Sequence, residues 1–135
     1  MGDRALGVDD AWRELRRRLA DRVAGLRAAD SLVLSVQVAG LSDGPGPYVT
    51  AGGTPSGGWR LEAASNAYLD TAHQLDEAAQ GQLLAQGWVP PSYLPGQGGH
   101  GSANWWVDLE AGEEERGAWL LVQALREAYA VPHPA

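Results

Sequence analysis

The chain has 135 residues, a formal net charge of −7 and no cysteine. Such an acidic chain argues against a general binder of nucleic acid or of anionic membranes, because phosphate groups require a basic surface. The absence of cysteine from the sequence excludes disulfides, thiolate metal sites and thiol nucleophiles.

The length fits a single domain over residues 1–135, with short flexible ends at about 1–8 and 131–135. A hydrophobic content of 44% is ordinary for a folded domain. No apolar run approaches the ~18 residues of a membrane span, and we find no signal peptide. We therefore expect a cytoplasmic protein with no membrane association.

The first predicted element is an amphipathic helix, capped by Asp9 or Asp10 and running to about Ala28. Six of the ten arginines lie on its polar faces. One interpretation is a solvated helix face, and the other is a docking face for an acidic segment of this chain or of a partner. The apolar stripe is Trp12, Leu15, Leu19, Val23 and Leu26, and the arginines are Arg13, Arg16, Arg17, Arg18, Arg22 and Arg27.

Three strands are predicted next, between Ser31 and Ser65, because apolar residues alternate with other side chains at a period of two. Turn-forming residues separate these strands, so an antiparallel meander is the simplest pairing. The first strand has Leu32, Leu34, Val36 and Val38 on one side and Val33, Ser35 and Gln37 on the other; the second is Pro47–Ala51; in the third, Trp59, Leu61 and Ala63 alternate with Arg60 and Glu62.

The second half of the chain predicts a strand between two helices. A short helix covers about Asp76–Gln86, with Gly87 in the left-handed position that ends helices and Trp88 packing back. The predicted loop is Val89–Gly101, the strand is Asn104–Leu109, and the last helix is about Glu113–Ala130. The fold class is therefore α+β, with an antiparallel sheet, helices packed on one face, and the order α-β-β-β-α-β-α.

No catalytic or metal-binding constellation emerges from the motifs. Gly96, Gly98 and Gly101 match G-x-G-x-x-G, but a proline-rich loop precedes them and a strand follows, so the helix N-terminus of a phosphate site is missing. The three histidines, His73, His100 and His133, lack a metal-ligand spacing. The acidic run Glu113–Glu115 suits a helix start. We expect no enzyme activity, no cofactor and no metal.

Trp105 and Trp106 are adjacent on a predicted strand, so their side chains point to opposite faces of the sheet. One of them therefore lies on the second face, among polar residues such as Arg60 and Glu62. Either a protein contact or a covering loop or helix explains such a tryptophan, and the sequence leaves both explanations open.

Short motifs recur along nearly the whole chain, at Trp12, Leu15, Ser65-Asn66-Ala67-Tyr68-Leu69, Leu84, Gly87-Trp88, Asn104-Trp105-Trp106 and Val131-Pro132-His133-Pro134. With these motifs and this element order, the chain resembles the type III secretion chaperones and their YbjN-like relatives. It resembles more closely the actinobacterial group called TY-Chap.

The resemblance implies a non-enzymatic module that holds an extended or partly unfolded polypeptide segment, often as a homodimer. It suggests Tyr68, Trp88, Trp105 and Trp106 as peptide-contacting residues. An exposed sheet edge could also accept a strand by backbone pairing. The alternative hypotheses are a structural or adaptor subunit with one fixed protein partner or its own copy, and, least favoured, an enzyme.

Overall fold

The structure is a computed structural model that describes residues 7–35, 46–69 and 71–132. In these ranges the chain follows the order α-β-β-β-α-β-α, which confirms the prediction. The elements are α1 Val8–Ala24, β1 Ser31–Ser35, β2 Tyr48–Gly53, β3 Trp59–Ala63, α2 Glu77–Gln86, β4 Trp105–Leu109 and α3 Glu114–Gln123. Short 3-10 turns at Asn66–Tyr68 and Thr71–His73 link β3 to α2, and a π-helical turn at Ala124–Ala128 extends α3.

The four strands form one antiparallel sheet in the order β1-β2-β3-β4, which is the predicted meander. Residues that stand opposite each other in an antiparallel pair share a face. Leu32 pairs with Ala51, which pairs with Leu61, which in turn pairs with Val107, so one apolar row crosses all four strands. We call this side the helix face, because α1 and α3 pack against it.

The core lies between the helix face and the helices. Leu61, Val23 and Leu120 have no exposed surface. Gly117 on α3 allows the close approach of helix and sheet, since a Cβ there would lie 3.1 Å from Leu109 Cδ1. Burying these apolar side chains contributes roughly 25 cal/mol for each Å² removed from water, which makes this layer the main source of stability.

Helix α1 differs from its prediction at both ends. Its N-cap is Gly7, and neither Asp9 nor Asp10 caps it. Both aspartates lie in the first turn, where their negative charges interact favourably with the positive end of the helix dipole. The helix ends at Ala24 rather than near Ala28. The following turn is held by Asp30, whose carboxylate accepts a hydrogen bond from the Arg27 amide at 3.0 Å, so a local side-chain bond competes with another helical turn.

Helix α2 has the predicted boundaries. The Asp76 side chain caps it by accepting a hydrogen bond from the Ala79 amide at 2.8 Å. Gly87 adopts the left-handed conformation with φ 110°. The Trp88 amide then donates to the Leu83 carbonyl at 3.0 Å, and its side chain packs into the core. Both of these predictions are confirmed.

The last helix was predicted to run to about Ala130, but α3 ends at Gln123 and the chain continues as the π-helical turn. Its apolar stripe nevertheless faces the core and consists of Ala118, Leu121, Val122, Leu125 and Tyr129. The Tyr129 hydroxyl at its end donates a hydrogen bond of 2.6 Å to the Ala64 carbonyl. Burial raises the pKa of this tyrosine.

From the raised pKa of Tyr129 we expect the protein to lose stability at alkaline pH. Because its pKa is raised in the folded state, its contribution is fully present below about pH 10 and falls as the pH rises above that value. A Tyr129→Phe variant should lose about 1 kcal/mol at neutral pH, the net value of a hydrogen bond. Urea titrations at about pH 8 and about pH 11 should show a smaller alkaline loss for the variant. An equal loss in both proteins would contradict this assignment.

Five positions named in the sequence argument lie outside the described residues, as do residues 1–6 and 133–135 of the ends that were predicted to be flexible. The five are Val36, Gln37, Val38, His133 and Pro134.

Candidate functional site

The side of the sheet opposite α1 and α3 is only partly covered. We call it the outer face. Every member is at least partly exposed, in contrast to the buried helix face. Two cross-strand pairs, Arg60 with Asp108 and Glu62 with Trp106, supply its charged and aromatic side chains. Its members are Val33, Thr50, Arg60, Glu62, Trp106 and Asp108.

Trp106 lies on the outer face, and the loop between α2 and β4 covers it. Its indole Nε1 donates a hydrogen bond of 3.0 Å to Ser92 Oγ. The Arg60 guanidinium lies 4.8 Å from the ring centroid, and His100 meets the ring edge-on at 5.7 Å. Gly101 is in close contact as well, because a Cβ there would approach the indole to 2.9 Å. The covering-loop explanation therefore holds for this tryptophan, which stays partly exposed.

Arg60 ties the loop to the sheet. Its Nε and Nη2 donate to the Asp108 carboxylate at 2.6 and 2.8 Å, and its Nη1 donates to the Gly101 carbonyl at 2.6 Å. The bidentate hydrogen bond lowers the pKa of Asp108 and raises that of Arg60. Since the folded-state pKa of Asp108 is depressed, its stabilising effect is present above about pH 4 and is lost as the pH falls further. Asp108 is half exposed, so this effect is small.

A second polar cluster fixes the start of β4. The Asn104 amide group donates to Glu62 Oε1 at 3.1 Å and to the Tyr48 hydroxyl at 3.2 Å, and its oxygen accepts from the Ser65 amide at 3.0 Å. Ser102 Oγ donates to the same Glu62 oxygen at 2.6 Å. Burial raises the pKa of Tyr48. These groups satisfy one another, as buried polar groups must, so we read the cluster as structural.

The two edges of the sheet differ. At the β4 edge, the Val89 amide donates to the Trp106 carbonyl at 2.9 Å, and the Trp106 amide donates to the Val89 carbonyl at 3.1 Å. Pro90 and Pro91 follow at once, and proline cannot donate to a ladder. The β4 edge is thus closed at its centre by the chain's own loop. At the β1 edge, no described residue pairs with the outward side of the strand.

The register identifies the free backbone groups of β1. The Gly53 amide donates to the Asp30 carbonyl at 2.9 Å. Hydrogen-bonded and non-hydrogen-bonded pairs alternate in an antiparallel ladder, so Leu32 and Leu34 direct their backbone groups toward β2. Ser31, Val33 and Ser35 therefore direct their N–H and C=O groups away from the sheet.

The side chains of β1 are also incompletely covered. Val33 is 56% exposed on the outer face, whereas the outer-face residues of the inner strands are more enclosed. Leu32 and Leu34 point to the helix face, yet both are only half-buried. Ser31–Ser35 contains no charged residue, no proline and no glycine, the features that usually protect an edge strand.

The four residues suggested at first as peptide contacts occupy two environments. Trp88 and Trp105 are core residues with exposed fractions of 2% and 4%. Trp106 lies under the loop on the outer face, and Tyr68 is half-buried in the 3-10 turn after β3. Tyr68 is close enough to Tyr48 to raise its pKa. The structure does not bring the four side chains together into one surface. The β1 edge was proposed only in general terms, because the sequence does not show which edge is free.

Several charges of the arginine-rich helix α1 are paired within the helix, and Asp9 pairs with Arg126 at the end of α3. Glu14 bonds Arg17 at 2.7 Å and Arg18 at 3.1 Å, and Arg13 bonds Asp10 at 2.9 Å. Within Val8–Ala24 there are five arginines and four acidic residues. This near balance favours the solvated-face interpretation over a docking face for acidic segments.

Within residues 7–35, 46–69 and 71–132, no three or more His, Asp or Glu side chains are grouped to hold a metal ion. Gly96, Gly98 and Gly101 adopt positive φ angles in a loop that leads into β4, so this motif has no helix start beside it. Among the described residues, no helix combines the length and the apolar character needed to cross a membrane.

These features define a class: a small α+β unit whose helices cover one side of a meander sheet, with one sheet edge left unpaired by any residue that the structure describes. The family model described as TY-Chap3, T3SS (YopN, CesT) and YbjN peptide-binding chaperone 3, matches residues 5–135. The chain belongs to this family of peptide-binding chaperones, which confirms the resemblance to the TY-Chap and YbjN-like chaperones; the match does not bear on an actinobacterial origin. No curated protein and no solved structure matches the chain.

Proposed function

We propose that this chain is a non-enzymatic chaperone-like module that binds an extended segment of another polypeptide as an added strand on β1. The observation that carries the proposal is the difference between the edges, because β4 is closed by Val89 whereas β1 is open among the described residues. Backbone pairing tolerates many client sequences, which suits a chaperone.

The β1 edge offers both hydrogen bonds and apolar area. Ser31, Val33 and Ser35 each present one donor and one acceptor to the client. Five residues of strand span about 17 Å, so the client segment is about five or six residues long. Client side chains on the helix face would complete the cover of Leu32 and Leu34, whose half-burial leaves apolar area to remove from water.

Two of the residues suggested at first fit as peripheral contacts. Tyr68 follows four residues after Ala64, whose amide donates to the Tyr48 carbonyl at 3.0 Å, and Tyr48 pairs with Ser35 at the end of β1. Trp106 is three strands away, about 14 Å, so it could touch only a part of the client that crosses the outer face. Trp88 and Trp105 are buried in the core and do not reach the β1 edge as contacts.

A small edge interaction implies modest affinity. Ordering a flexible client costs free energy, and the strand buries little area, so we expect dissociation constants in about the micromolar range or weaker. Such clients exchange readily. A fixed adaptor would instead show one tight partner.

Alternating N-methylation of a probe peptide tests strand addition. The probe is a fluorescein-labelled peptide of eight residues in which leucine alternates with threonine or arginine, and anisotropy measures its binding. Only alternate amides of an added strand face β1. Methylating the threonine and arginine amides should weaken binding at least about tenfold for antiparallel addition, about 1.4 kcal/mol. Methylating the leucine amides should then leave it nearly unchanged.

For parallel addition the two methylated peptides exchange their effects, because opposite residues then direct their amides to opposite sides. Either asymmetric result supports an added strand. Equal loss with both peptides, or no loss with either, would contradict the proposal.

A further inference from the structure

A groove of about 350 Å³ lies between α1 and α3. Asp9, Arg13 and Arg16 line it from α1, at the spacing i, i+4 and i+7 that places side chains on one side of a helix. Trp119 lines it from α3, and Arg126 lines it from the π-helical turn. None of the described residues that line it belongs to a strand, so this α1–α3 groove is separate from the β1 edge.

The α1–α3 groove is basic, although the chain as a whole is acidic. Among the described residues, its lining holds three arginines and one aspartate, a formal charge of +2 on a chain whose total is −7. The charge stays positive when Asp10 is counted, which bonds Arg13 at 2.9 Å. Glu14 does not reduce it, because Glu14 and its two arginine partners do not line the groove. The near balance of charge along α1 therefore does not extend to the side that faces α3.

Two guanidinium groups indicate which ligand chemistry the groove fits. Arg16 is exposed, and its guanidinium forms no ion pair or hydrogen bond with any residue that the structure describes. Arg126 already holds a carboxylate, since its Nη2 donates to Asp9 Oδ1 on α1. Guanidinium and carboxylate groups match in charge and in hydrogen-bond geometry, so Arg16 is open to a second carboxylate.

Trp119 adds an aromatic surface in the same groove. It lies in the middle of α3, yet 36% of this large apolar side chain is exposed. Tryptophan and arginine are the residue types that most often carry the binding energy of protein interfaces. An apolar side chain that packs on the indole removes apolar area from water, while carboxylates next to it meet the arginines.

We propose that the α1–α3 groove binds an acidic segment of a partner polypeptide, whose carboxylates contact Arg16 and Arg126 and whose apolar side chain packs on Trp119. The groove is at the small end of ligand sites, which fits a few side chains of a segment. Nucleic acid is a poorer match, because a phosphate backbone needs many basic contacts and the acidic remainder of this chain repels it. This partner is additional to the client at β1 and leaves that edge free.

Two fluorescein-labelled peptides of eight residues test the charge requirement, and anisotropy at low salt measures their binding. The acidic peptide has one leucine flanked by glutamate and proline residues, because proline disfavours strand addition at β1. In the neutral peptide, glutamine replaces each glutamate. The acidic peptide should bind at least about tenfold more tightly. Equal binding of the two peptides overturns the proposal.

Arg16→Gln should weaken binding of the acidic peptide at least about fivefold, because it removes the open guanidinium. The matched control is Arg22→Gln, which removes the same charge from an exposed position of α1 outside the groove. This control should change binding less than about twofold. Equal weakening by the two variants would show a general attraction to acidic peptides and contradict a site in the groove.

Asp9→Asn should act in the opposite direction. It releases Arg126 for a carboxylate of the partner, so the acidic peptide should bind at least about fivefold more tightly. Asp21→Asn removes the same charge from an exposed position of α1 outside the groove and should change binding less than about twofold. Equal tightening by both variants would contradict the proposal. Far-UV circular dichroism checks that each variant is folded.

Three further results would overturn the proposal by naming another site or occupant. The first is loss of acidic-peptide binding in a Val33→Pro variant, whose proline obstructs the β1 edge, since that loss would place the peptide at β1. The second is displacement of the acidic peptide by a single-stranded DNA octamer at equal concentration. The third is self-association that Arg16→Gln abolishes. Binding of the acidic peptide in the groove while the strand-addition peptide fails to bind would retain this site and reject the proposed function instead.

Discussion

Replacing Trp105 with alanine is expected to lower the free energy of unfolding by about 3–5 kcal/mol, the usual loss for a large aromatic side chain in a core. Trp105 is 4% exposed and stands opposite Ala63, a small side chain that leaves most of the space at this position to the indole ring. Replacing its neighbour Trp106 should cost only about 1–2 kcal/mol, because that ring is partly exposed and held by loop contacts.

Guanidinium titrations followed by far-UV circular dichroism measure both losses without relying on tryptophan emission. The free energy of unfolding of a domain of this size is about 5–15 kcal/mol, so the alanine variant could be unfolded. Trp105→Phe provides a milder variant for that case. The free energy of unfolding of Trp105→Phe should fall between that of the parent protein and that of the alanine variant. Equal losses at positions 105 and 106 would contradict the assignment of these side chains to the core and the outer face.

The second large effect is on binding. A Val33→Pro variant should weaken the probe peptide at least about tenfold while changing the free energy of unfolding by less than about 1 kcal/mol. The Val33 N–H points away from β2, so proline removes no hydrogen bond of the folded monomer. It does remove the central donor of the open edge, and its ring obstructs an incoming strand.

Leu34→Pro is the matched control for this experiment. The Leu34 N–H points toward β2, so proline at this position breaks the ladder and should destabilise the whole domain. The contrast between the two prolines separates loss of the binding edge from loss of the fold. Unchanged peptide binding by a folded Val33→Pro variant would contradict strand addition at β1.

The sequence predicted the elements whose signals are local. The helical spacing of Leu75, Ala79 and Leu83 and the left-handed Gly87 act within a few residues, so α2 was placed correctly from them. Alternation within Trp59–Ala63 likewise identified β3 and its buried side. The end of α1 was wrong, because the turn held by Asp30 outweighs the continuing stripe through Leu26.

The candidate site was less predictable because it depends on contacts between distant positions. The sequence indicates that Trp105 and Trp106 point to opposite faces, but not which of them enters the core. It also cannot show that Val89 pairs with Trp106 across 17 positions, which closes one edge of the sheet. Without that contact the free edge cannot be identified from the sequence. Once the structure is known, the uncharged run Ser31–Ser35 can be recognised as the sequence feature of that edge.

Amide hydrogen exchange of β1, measured by NMR with and without the probe peptide, tests the central claim most directly. The amides of Leu32 and Leu34 already bond to β2 and should be protected in both states. The amides of Ser31, Val33 and Ser35 should exchange fast in the dilute free monomer and become protected when the peptide binds. Protection confined to the loop over Trp106, with these three amides unchanged, would contradict binding at the β1 edge.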